Sequence, residues 1–311
     1  MNAQQLRQPG LVVASHGRHV VVETPEGKRL ICHPRGKKNQ AVVGDRVLWQ
    51  ASQDEGTIER IQTRRNLFYR QDEIRTKSFA ANLDQVLILI AAEPEFSESQ
   101  LSRALIAAEA QGIRPVIALN KSDLQVLFAR AWDRLEPYRR MGYQVMPLAL
   151  KPKVEPDRPD DSGARLLHQV AEKTTLVLGP SGAGKSSLIN LLVPGALVLT
   201  QEISSALNSG KHTTTSTSWY WVAPERKTAL IDSPGFQEFG LYHIDPMHLA
   251  SLMPDLKSLT QDCKFYNCSH LHEPGCGLLA ALKSETEPPA VSPSRYRIYS
   301  DLFAELSQPR Y

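Results

Sequence analysis

The chain has 311 residues, enough for two or three domains, and its 41% apolar and 22% charged residues are typical of a globular protein. No stretch approaches the roughly twenty apolar residues of a transmembrane helix, and residues 1–10 lack the apolar centre of a secretory signal, so we expect a cytoplasmic protein without membrane contact. The net charge is +3, but residues 1–75 hold thirteen Lys and Arg against eight Asp and Glu, which favours a polyanionic partner or an ordinary solvated basic surface.

Residues 10–70 contain five short runs with alternating apolar side chains, separated by turn sequences such as Pro25-Glu26-Gly27. Five strands in so short a segment predict a small OB-type barrel, and we assign residues 1–75 to this all-β domain. Its basic residues are candidate contacts to nucleic-acid phosphates, with a solvated surface as the alternative. These candidates are Arg35, Lys37, Lys38, Arg64 and Arg65.

Apolar strands alternate with amphipathic helices from residue 84 onward, which predicts an α/β domain with a parallel sheet over residues 76–243. Its helices include 97–112 and a single long helix over 124–142. After about residue 243 the strand pattern stops. Helical segments then surround a compact Cys/His segment, and we assign residues 244–311 to an α-helical metal-binding domain.

A glycine-rich segment at 179–186 fits the pattern G-x-x-x-x-G-K-[ST], between an apolar strand and an amphipathic helix. In this pattern backbone N–H groups surround phosphates, Lys185 reaches the β- and γ-phosphates, and Ser186 can ligate Mg²⁺. A plain glycine-rich turn is the alternative. The predicted nucleotide-binding residues of this loop are Gly179, Pro180, Ser181, Gly182, Ala183, Gly184, Lys185, Ser186 and Ser187.

The tetrapeptide Asn120-Lys121-Ser122-Asp123 follows another apolar strand and has the form N-K-x-D. The Asp123 carboxylate can accept hydrogen bonds from both N–H groups on one edge of guanine, whereas adenine has no such donor pair. Lys121 would lie along the base and Asn120 would brace neighbouring loops. A helix N-cap formed by Ser122 or Asp123 is the alternative, and both interpretations are compatible.

Asp232-Ser233-Pro234-Gly235 follows the apolar strand before it as a D-x-x-G segment. Asp232 would hold Mg²⁺ through water and the Gly235 N–H would contact the γ-phosphate, unless the segment is a simple Pro-Gly turn. The next residue is Phe236, which cannot orient a water as a glutamine would. His212 is a candidate for that role, and we expect one of Thr213, Thr214 and Thr215, with Thr214 favoured, to ligate Mg²⁺, unless their segment is a disordered polar loop.

The base motif comes first in this chain. It is followed by the phosphate loop, by the segment with His212 and Thr214 (the first switch) and by the D-x-x-G segment (the second switch), whereas ordinary GTPases begin with the phosphate loop. Moving residues 84–150 behind the strand at 228–235 restores the usual order. A sheet depends on which strands are neighbours and tolerates such permutation when the old termini can be joined. The chain that leaves Gly235 then runs directly into the C-terminal domain, which a switch could reposition.

The segment CKFYNCSHLHEPGC has the spacing C-x₄-C-x-H-x₅-C. Three thiolates and one imidazole, from Cys263, Cys268, His270 and Cys276, suit a closed tetrahedral Zn²⁺ site. His272 is a competing ligand, and disulfide pairing is the alternative, although it leaves one cysteine unpaired. Cys32, alone in the predicted barrel, is expected to be a buried apolar residue.

Taken together, the OB-like domain and the segments NKSD, GPSGAGKSSLIN, GKHTTT, DSPGF and CKFYNCSHLHEPGC resemble the RsgA family of bacterial circularly permuted GTPases over nearly the whole chain. The resemblance implies hydrolysis of GTP with Mg²⁺, one Zn²⁺, stimulation by the 30S ribosomal subunit, contact with 16S rRNA through the OB and zinc domains, and a role in late 30S maturation. It also implies a catalytic role for His212 and a hydrophobic residue at Phe236. The segment 147–151 departs from the S-A-K-like loop expected there, because only Ala149 fits.

Two other functions compete with a maturation GTPase. One is an RNA-binding module gated by nucleotide, in which hydrolysis only resets affinity, and the other is a P-loop ATPase or kinase, against which Asp123 argues. We expect a monomer, with other assembly factors as further partners.

Overall fold

The computed structural model describes residues 7–16, 19–35, 40–52, 55–150, 161–196, 217–235, 238–284 and 290–308. The N-terminal part is a closed barrel in which neighbouring strands follow the order β1-β2-β3-β5-β4 and β4 pairs again with β1. Val47, Trp49 and Ile58 fill its core together with Cys32, which is fully buried as expected. The five predicted strands are therefore confirmed. They are β1 (Gln8–His16), β2 (His19–Glu23), β3 (Arg29–Pro34), β4 (Arg46–Ala51) and β5 (Gly56–Ile61).

A separate two-stranded hairpin, β6 (Leu67–Gln71) and β7 (Thr76–Ala81), follows the barrel and runs across residue 75. Its buried Phe68 and Phe79 pack against Phe239, with ring centroids 5.7 and 6.0 Å from that of Phe239. The hairpin therefore contacts the segment that follows the D-x-x-G motif. The domain boundaries at 75/76 and 243/244 stay predictions.

The central sheet contains five parallel strands in the order β10-β9-β8-β11-β13, with antiparallel β12 beyond β13. Every residue of β8 is buried, because helices cover both faces of a parallel sheet and leave no strand face for water. The strands are β8 (Gln85–Ala91), β9 (Arg114–Asn120), β10 (Gln144–Pro147), β11 (Thr174–Leu178), β12 (Thr217–Trp221) and β13 (Ala229–Asp232).

The helices that cover this sheet are α1 (Glu98–Ala110), α2 (Gln125–Arg134), α3 (Glu136–Arg140), α4 (Ser162–Val170) and α5 (Lys185–Leu192). The single helix expected over 124–142 is wrong, because the chain forms α2 and α3 with a break at Leu135. Pro137 explains the break, since proline has no N–H for the helix ladder but fits the first turn of a new helix.

Short helical pieces form the C-terminal part, as the sequence predicted. They are a 3₁₀ helix (Pro246–Leu252), α6 (Pro254–Lys257), a second 3₁₀ helix (Ser258–Asp262), α7 (Gly277–Lys283) and α8 (Pro293–Leu306). The Ser292 hydroxyl caps α8 by accepting a hydrogen bond from the Arg295 N–H at 3.3 Å. None of the helices that the structure describes has the length and apolar character needed to cross a bilayer.

Barrel and central sheet are joined by strand pairing. Strand β1 pairs antiparallel with β12, with Ala14 opposite Ser218, so that eleven strands form one continuous sheet. The Trp221 indole N–H also donates to the Glu23 carboxylate at 2.7 Å. The barrel thus covers the edge of the nucleotide-domain sheet that β12 would otherwise expose.

Candidate functional site

Each of the three nucleotide motifs lies at the end of a strand. The base motif begins on the last residue of β9, the phosphate loop directly follows β11, and the D-x-x-G segment begins on the last residue of β13. These strands run parallel within one sheet, separated only by β8 between β9 and β11. Because the carboxyl ends of parallel strands meet at one edge, the three motifs lie together although the chain presents them in permuted order.

The phosphate loop makes a sharp strand-to-helix turn. Gly184 has φ +107° and directly precedes α5, and a Cβ at this position would lie 2.4 Å from Asn120 Nδ2. Only glycine combines this left-handed conformation with so close an approach. Lys185 Nζ donates to the carbonyl oxygens of Gly179 at 2.8 Å and Pro180 at 3.1 Å, so the ammonium lies over the loop. This is the arrangement that a phosphate-binding loop requires.

Asn120 connects the base motif to the phosphate loop. Its side chain is buried, its Nδ2 donates to the Ala183 carbonyl at 2.9 Å, and its Oδ1 accepts from the Leu150 N–H at 3.1 Å. One amide therefore braces two neighbouring loops, as the sequence predicted. These contacts bring the base motif and the phosphate loop, 63 residues apart in the chain, into one site.

The 147–150 segment lies beside the base motif, since the Ser122 N–H donates to the Leu148 carbonyl at 2.9 Å. Ala149 is buried and its N–H donates to the Ser162 hydroxyl at 2.9 Å. The segment therefore lies against the base motif, although its sequence departs from the S-A-K-like loop expected there. Lys151 lies outside the described residues.

The alternative interpretation of the base motif, a helix cap, does not match the structure. The N-cap of α2 is Leu124, and no side chain caps the helix there. Lys121 takes a left-handed conformation with φ +69°, and Asp123 is exposed with no hydrogen-bond partner among the residues that the structure describes. The Asp123 carboxylate is thus available to a ligand.

Asp232 and Gly235 both approach the phosphate loop. A Cβ built on Gly235 would lie 3.2 Å from Lys185 Nζ and 3.5 Å from the Ser181 N–H nitrogen. Burial raises the pKa of Asp232 to about 6, against the opposing effect of the Lys185 ammonium. Burial likewise lowers the pKa of Lys185, with Asp232 acting in the opposite direction. The two charges therefore share one desolvated site.

The residues present fit a magnesium ion. Oδ1 of Asp232 is buried and has no hydrogen-bond partner among the described residues, and Ser186 lies in the first turn of α5. Hard cations such as Mg²⁺ prefer carboxylate, hydroxyl and phosphate oxygens. An orphaned carboxylate oxygen of this kind is the type of atom that a hydrated Mg²⁺ satisfies. His212, Thr214 and Phe236 lie outside the described residues, so their roles stay predictions.

Three thiols and one imidazole converge in the C-terminal part. The ligand atoms of Cys263, Cys268, His270 and Cys276 lie within 4.8 Å of one another. His270 Nδ1 lies 3.4 Å from Cys263 Sγ and 3.5 Å from Cys276 Sγ, and these two sulfurs are 3.9 Å apart. Such separations fit ligands around a tetrahedral Zn²⁺. The four thiols of the chain are free, and the competing His272 is exposed whereas His270 is buried.

Several supporting residues of this cluster escaped the sequence analysis. Glu273 accepts from the backbone N–H groups of Ser269 at 2.8 Å and Leu271 at 3.3 Å. Burial alone would raise the pKa of Glu273, but hydrogen bonds from the Ser269 hydroxyl and from the backbone N–H groups of Ser269, Glu273 and His272 lower it. From α8, the Tyr299 hydroxyl donates to the Ser269 carbonyl at 2.8 Å and the Tyr296 hydroxyl to the His270 carbonyl at 3.0 Å. The only sign of these supporting residues in the sequence was a glutamate that lies among the predicted cysteine and histidine ligands.

The predicted phosphate-contacting arginines are largely engaged within the protein. Arg64 Nε binds the fully buried Asp45 at 2.7 Å, Arg65 binds Asp84 at 2.7 Å, and Arg35 pairs with Glu59. Lys37 and Lys38 lie outside the described residues. Of the three described arginines, Arg35 is the most exposed, with 70% of its side chain accessible.

The fold and site define a circularly permuted P-loop nucleotide-binding protein. The family model described as RsgA GTPase matches residues 61–242. The small ribosomal subunit biogenesis GTPase RsgA of Variovorax paradoxus is 71% identical over 302 residues, covering 97% of this chain and 93% of the relative. The protein of the same name from Burkholderia pseudomallei is 49% identical over 304 residues, with the same coverage of 97% and 93%. The chain therefore belongs to the RsgA family of circularly permuted GTPases.

Solved structures agree with this assignment. YloQ, described as a circularly permuted GTPase, superposes with a TM-score of 0.69 at 27% identity, covering 100% of this chain and 99% of the other. YjeQ from Thermotoga maritima gives a TM-score of 0.73 at 27% identity, covering 98% and 100%. The chain is accordingly an enzyme, a hydrolase that acts on GTP.

Proposed function

We propose that this GTPase binds the small ribosomal subunit and assists its late maturation, with hydrolysis of GTP to GDP and phosphate stimulated by the subunit. The observation that carries the proposal is the Asn120 bridge, which holds the guanine-reading motif against the phosphate loop. The relatives named for small ribosomal subunit biogenesis, 71% and 49% identical to this chain, support the ribosomal part.

Each half of the site has its own task toward the nucleotide. Asp123 accepts the two guanine N–H groups, Lys121 covers the base, and Asn120 and Ser122 hold their loop in place. The 179–187 loop surrounds the phosphates with N–H groups, and Lys185 adds a positive charge. Bound Mg²⁺ supplies charge neutralisation at the phosphates. Ser186 and Thr214 would ligate it directly, and Asp232 would do so through water.

The hydrolytic step needs a donor set around the γ-phosphate and an oriented water. The Gly235 N–H contacts the γ-phosphate, which the approach of Gly235 to Lys185 supports. Because Phe236 cannot hydrogen-bond a water, His212 orients it. Contact with the ribosomal subunit completes the site around the γ-phosphate, which would explain stimulation by the partner.

The barrel and the zinc-binding part contact 16S rRNA. The zinc cluster, held by Cys263, Cys268, His270 and Cys276, presents the loop Lys264-Phe265-Tyr266, on which Tyr266 is fully exposed. Exposed aromatic rings next to a lysine are suited to stack on unpaired bases near a phosphate. We place the protein in the cytoplasm as a monomer that acts on the 30S particle, alongside other assembly factors.

Stimulated turnover is the test of this function. GTP hydrolysis is measured with and without purified 30S subunits, for the wild type and for Ser186→Ala. We expect 30S to accelerate the wild type strongly and Ser186→Ala to lose turnover in both conditions, because it loses a Mg²⁺ ligand. A wild-type rate that 30S does not change would contradict the ribosomal assignment. If Ser186→Ala still assists 30S subunits without hydrolysing GTP, the RNA-binding module gated by nucleotide is favoured instead.

A further inference from the structure

The outer face of the N-terminal barrel carries a second cluster of metal-ligating side chains, far in sequence from the Cys/His segment. One imidazole nitrogen each from His19 and His33 and one carboxylate oxygen from Glu55 lie within 4.8 Å of one another. No motif in the sequence relates these residues, which come from three separate parts of the barrel.

Strand register explains why they meet. In the antiparallel pair of β2 and β3, Val20 lies opposite Cys32, and both are buried in the barrel core. His19 directly precedes Val20 and His33 directly follows Cys32, so the two histidines project from the outer face as neighbours. In the parallel pair of β3 and β5, Cys32 lies opposite Gly56 and His33 opposite Thr57, and Glu55, which directly precedes Gly56, reaches His33 with its side chain.

The three side chains already contact one another. His33 Nε2 is hydrogen-bonded to the Glu55 carboxylate, and the rings of His19 and His33 meet edge to face with centroids 4.6 Å apart. The side chains of His33 and Glu55 are 41% and 44% exposed. An ion can therefore enter from solvent without opening the barrel, and the pairing of β2 with β3 holds the two histidines side by side before it binds.

We propose that His19, His33 and Glu55 form a surface site for a divalent transition-metal ion, and for Zn²⁺ in particular. Two imidazoles and one carboxylate are a donor set that Zn²⁺ accepts, and three protein ligands leave a fourth tetrahedral position open to water. The ion would connect β2, β3 and the residue that precedes β5. This site is distinct from the Cys/His cluster, since it contains no thiolate and lies in another part of the fold.

An ordinary surface histidine–carboxylate contact is the competing explanation, and the chain offers a matched control for it. The His248 side chain is 76% exposed, and its Nδ1 lies 4.0 Å from the Asp245 carboxylate. Among the described residues, no group of potential metal ligands joins His248 to a second imidazole. Replacing His248 removes an exposed histidine next to an acid but leaves the proposed site intact.

The test is a calorimetric titration of Zn²⁺ into the full-length protein that already holds one equivalent of zinc. We expect the wild type to bind one further equivalent. His19→Ala and His33→Ala should weaken this second binding by at least about tenfold, because each removes a ligand, whereas His248→Ala should leave it unchanged. The ion should also raise the thermal midpoint of the wild type and not that of His33→Ala.

Co²⁺ provides a spectroscopic check on where the second ion binds. Thiolate ligands give an intense charge-transfer absorption, so the equivalent bound by the Cys/His cluster shows it and the equivalent bound by the barrel does not. If either histidine variant fails to fold, judged by its thermal midpoint, Glu55→Gln replaces it, since this substitution keeps the side-chain shape but removes the charge. The proposal is overturned if the wild type takes up no second ion, or if the ligand variants bind it as tightly as His248→Ala does.

Discussion

Asn120 shows at the scale of one residue how the site is assembled. Its buried amide donates to the Ala183 carbonyl and accepts from the Leu150 N–H, so both of its polar atoms are satisfied by loops other than its own. Removing such a side chain leaves buried backbone groups without partners, a cost of roughly 1–3 kcal/mol for each group. Asn120 therefore positions the site and need not touch the nucleotide.

Asp123 is the residue that we propose sets base specificity, and its carboxylate has no described partner in the protein. In Asp123→Asn one oxygen acceptor becomes an N–H donor, which matches the carbonyl at C2 of xanthine but opposes the amino group of guanine. We expect the variant to lose GTP binding by about a hundredfold or more and to bind XTP better than the wild type. Equilibrium binding of fluorescent GTP and XTP measures this. The control is Asp133→Asn on the exposed part of α2, and equal GTP affinities of wild type and Asp123→Asn would contradict the assignment.

We expect the stability of the nucleotide-free protein to depend on pH because of Asp232. Burial raises its pKa in the folded state to about 6, above the ordinary value of 3.8, so ionisation of this group costs more in the folded protein than in the unfolded chain. Its contribution to stability is therefore full below about pH 4 and is lost as the pH rises through about 6, by up to about 3 kcal/mol. Asp232→Asn lacks this loss. Urea unfolding at pH 5 and pH 8 should show the variant gaining stability over the wild type at the higher pH, and parallel pH profiles would contradict the argument.

At the scale of elements, α8 is attached to the nucleotide domain by a buried arginine. Arg295 is 2% exposed, its Nε binds Asp255 at 2.9 Å, and its Nη1 donates to the Ser102 hydroxyl at 2.6 Å. Its guanidinium also lies over the ring of Tyr138, 5.1 Å from the centroid. One side chain thus links the C-terminal helices to α1 and α3. Since Tyr296 and Tyr299 of α8 also hold the Cys/His segment, this contact connects that segment to the helices of the central domain.

Breaking the buried pair should therefore be costly. Arg295→Met leaves the Asp255 carboxylate buried and unpaired, and we expect a loss of about 3–5 kcal/mol in the free energy of unfolding. The double variant Arg295→Met/Asp255→Leu removes both charges and should recover most of this loss. Urea denaturation of the zinc-loaded protein measures both effects. A single variant as stable as the wild type would show that the pair does not anchor α8.

At the scale of the whole molecule, the barrel and the C-terminal helices both contact the central domain. Strand β1 extends the central sheet through β12, and the segment after Gly235 leads to Phe239, which packs on the β6–β7 hairpin. Arg103 of α1 forms a bidentate ion pair with Glu305 of α8 and donates to the Phe239 carbonyl at 3.3 Å. Strand β13 therefore lies one strand away from the barrel, and Phe239, beyond its C-terminal end, contacts the hairpin and reaches α8 through Arg103.

Much of this organisation could be predicted because it is local. The five barrel strands, the alternation of strands and helices from residue 84, the glycine-rich loop and the spacing of Cys263, Cys268, His270 and Cys276 all follow from side-chain periodicity and short motifs. The permuted order could also be read from the sequence, because each motif is a contiguous peptide with its own chemistry.

Other features were decided only by the tertiary structure, because they depend on residues that are distant in the chain. The sequence could not show that Arg64 and Arg65 bind Asp45 and Asp84, since a surface arginine that contacts RNA and one that forms an internal pair have the same local pattern. The β1–β12 pairing, the burial of Arg295 and the meeting of His19, His33 and Glu55 likewise leave no local signature. Periodicity determines which face of an element is apolar, but strand register and helix packing determine which polar side chains meet, and these arise only when the whole chain closes around its core.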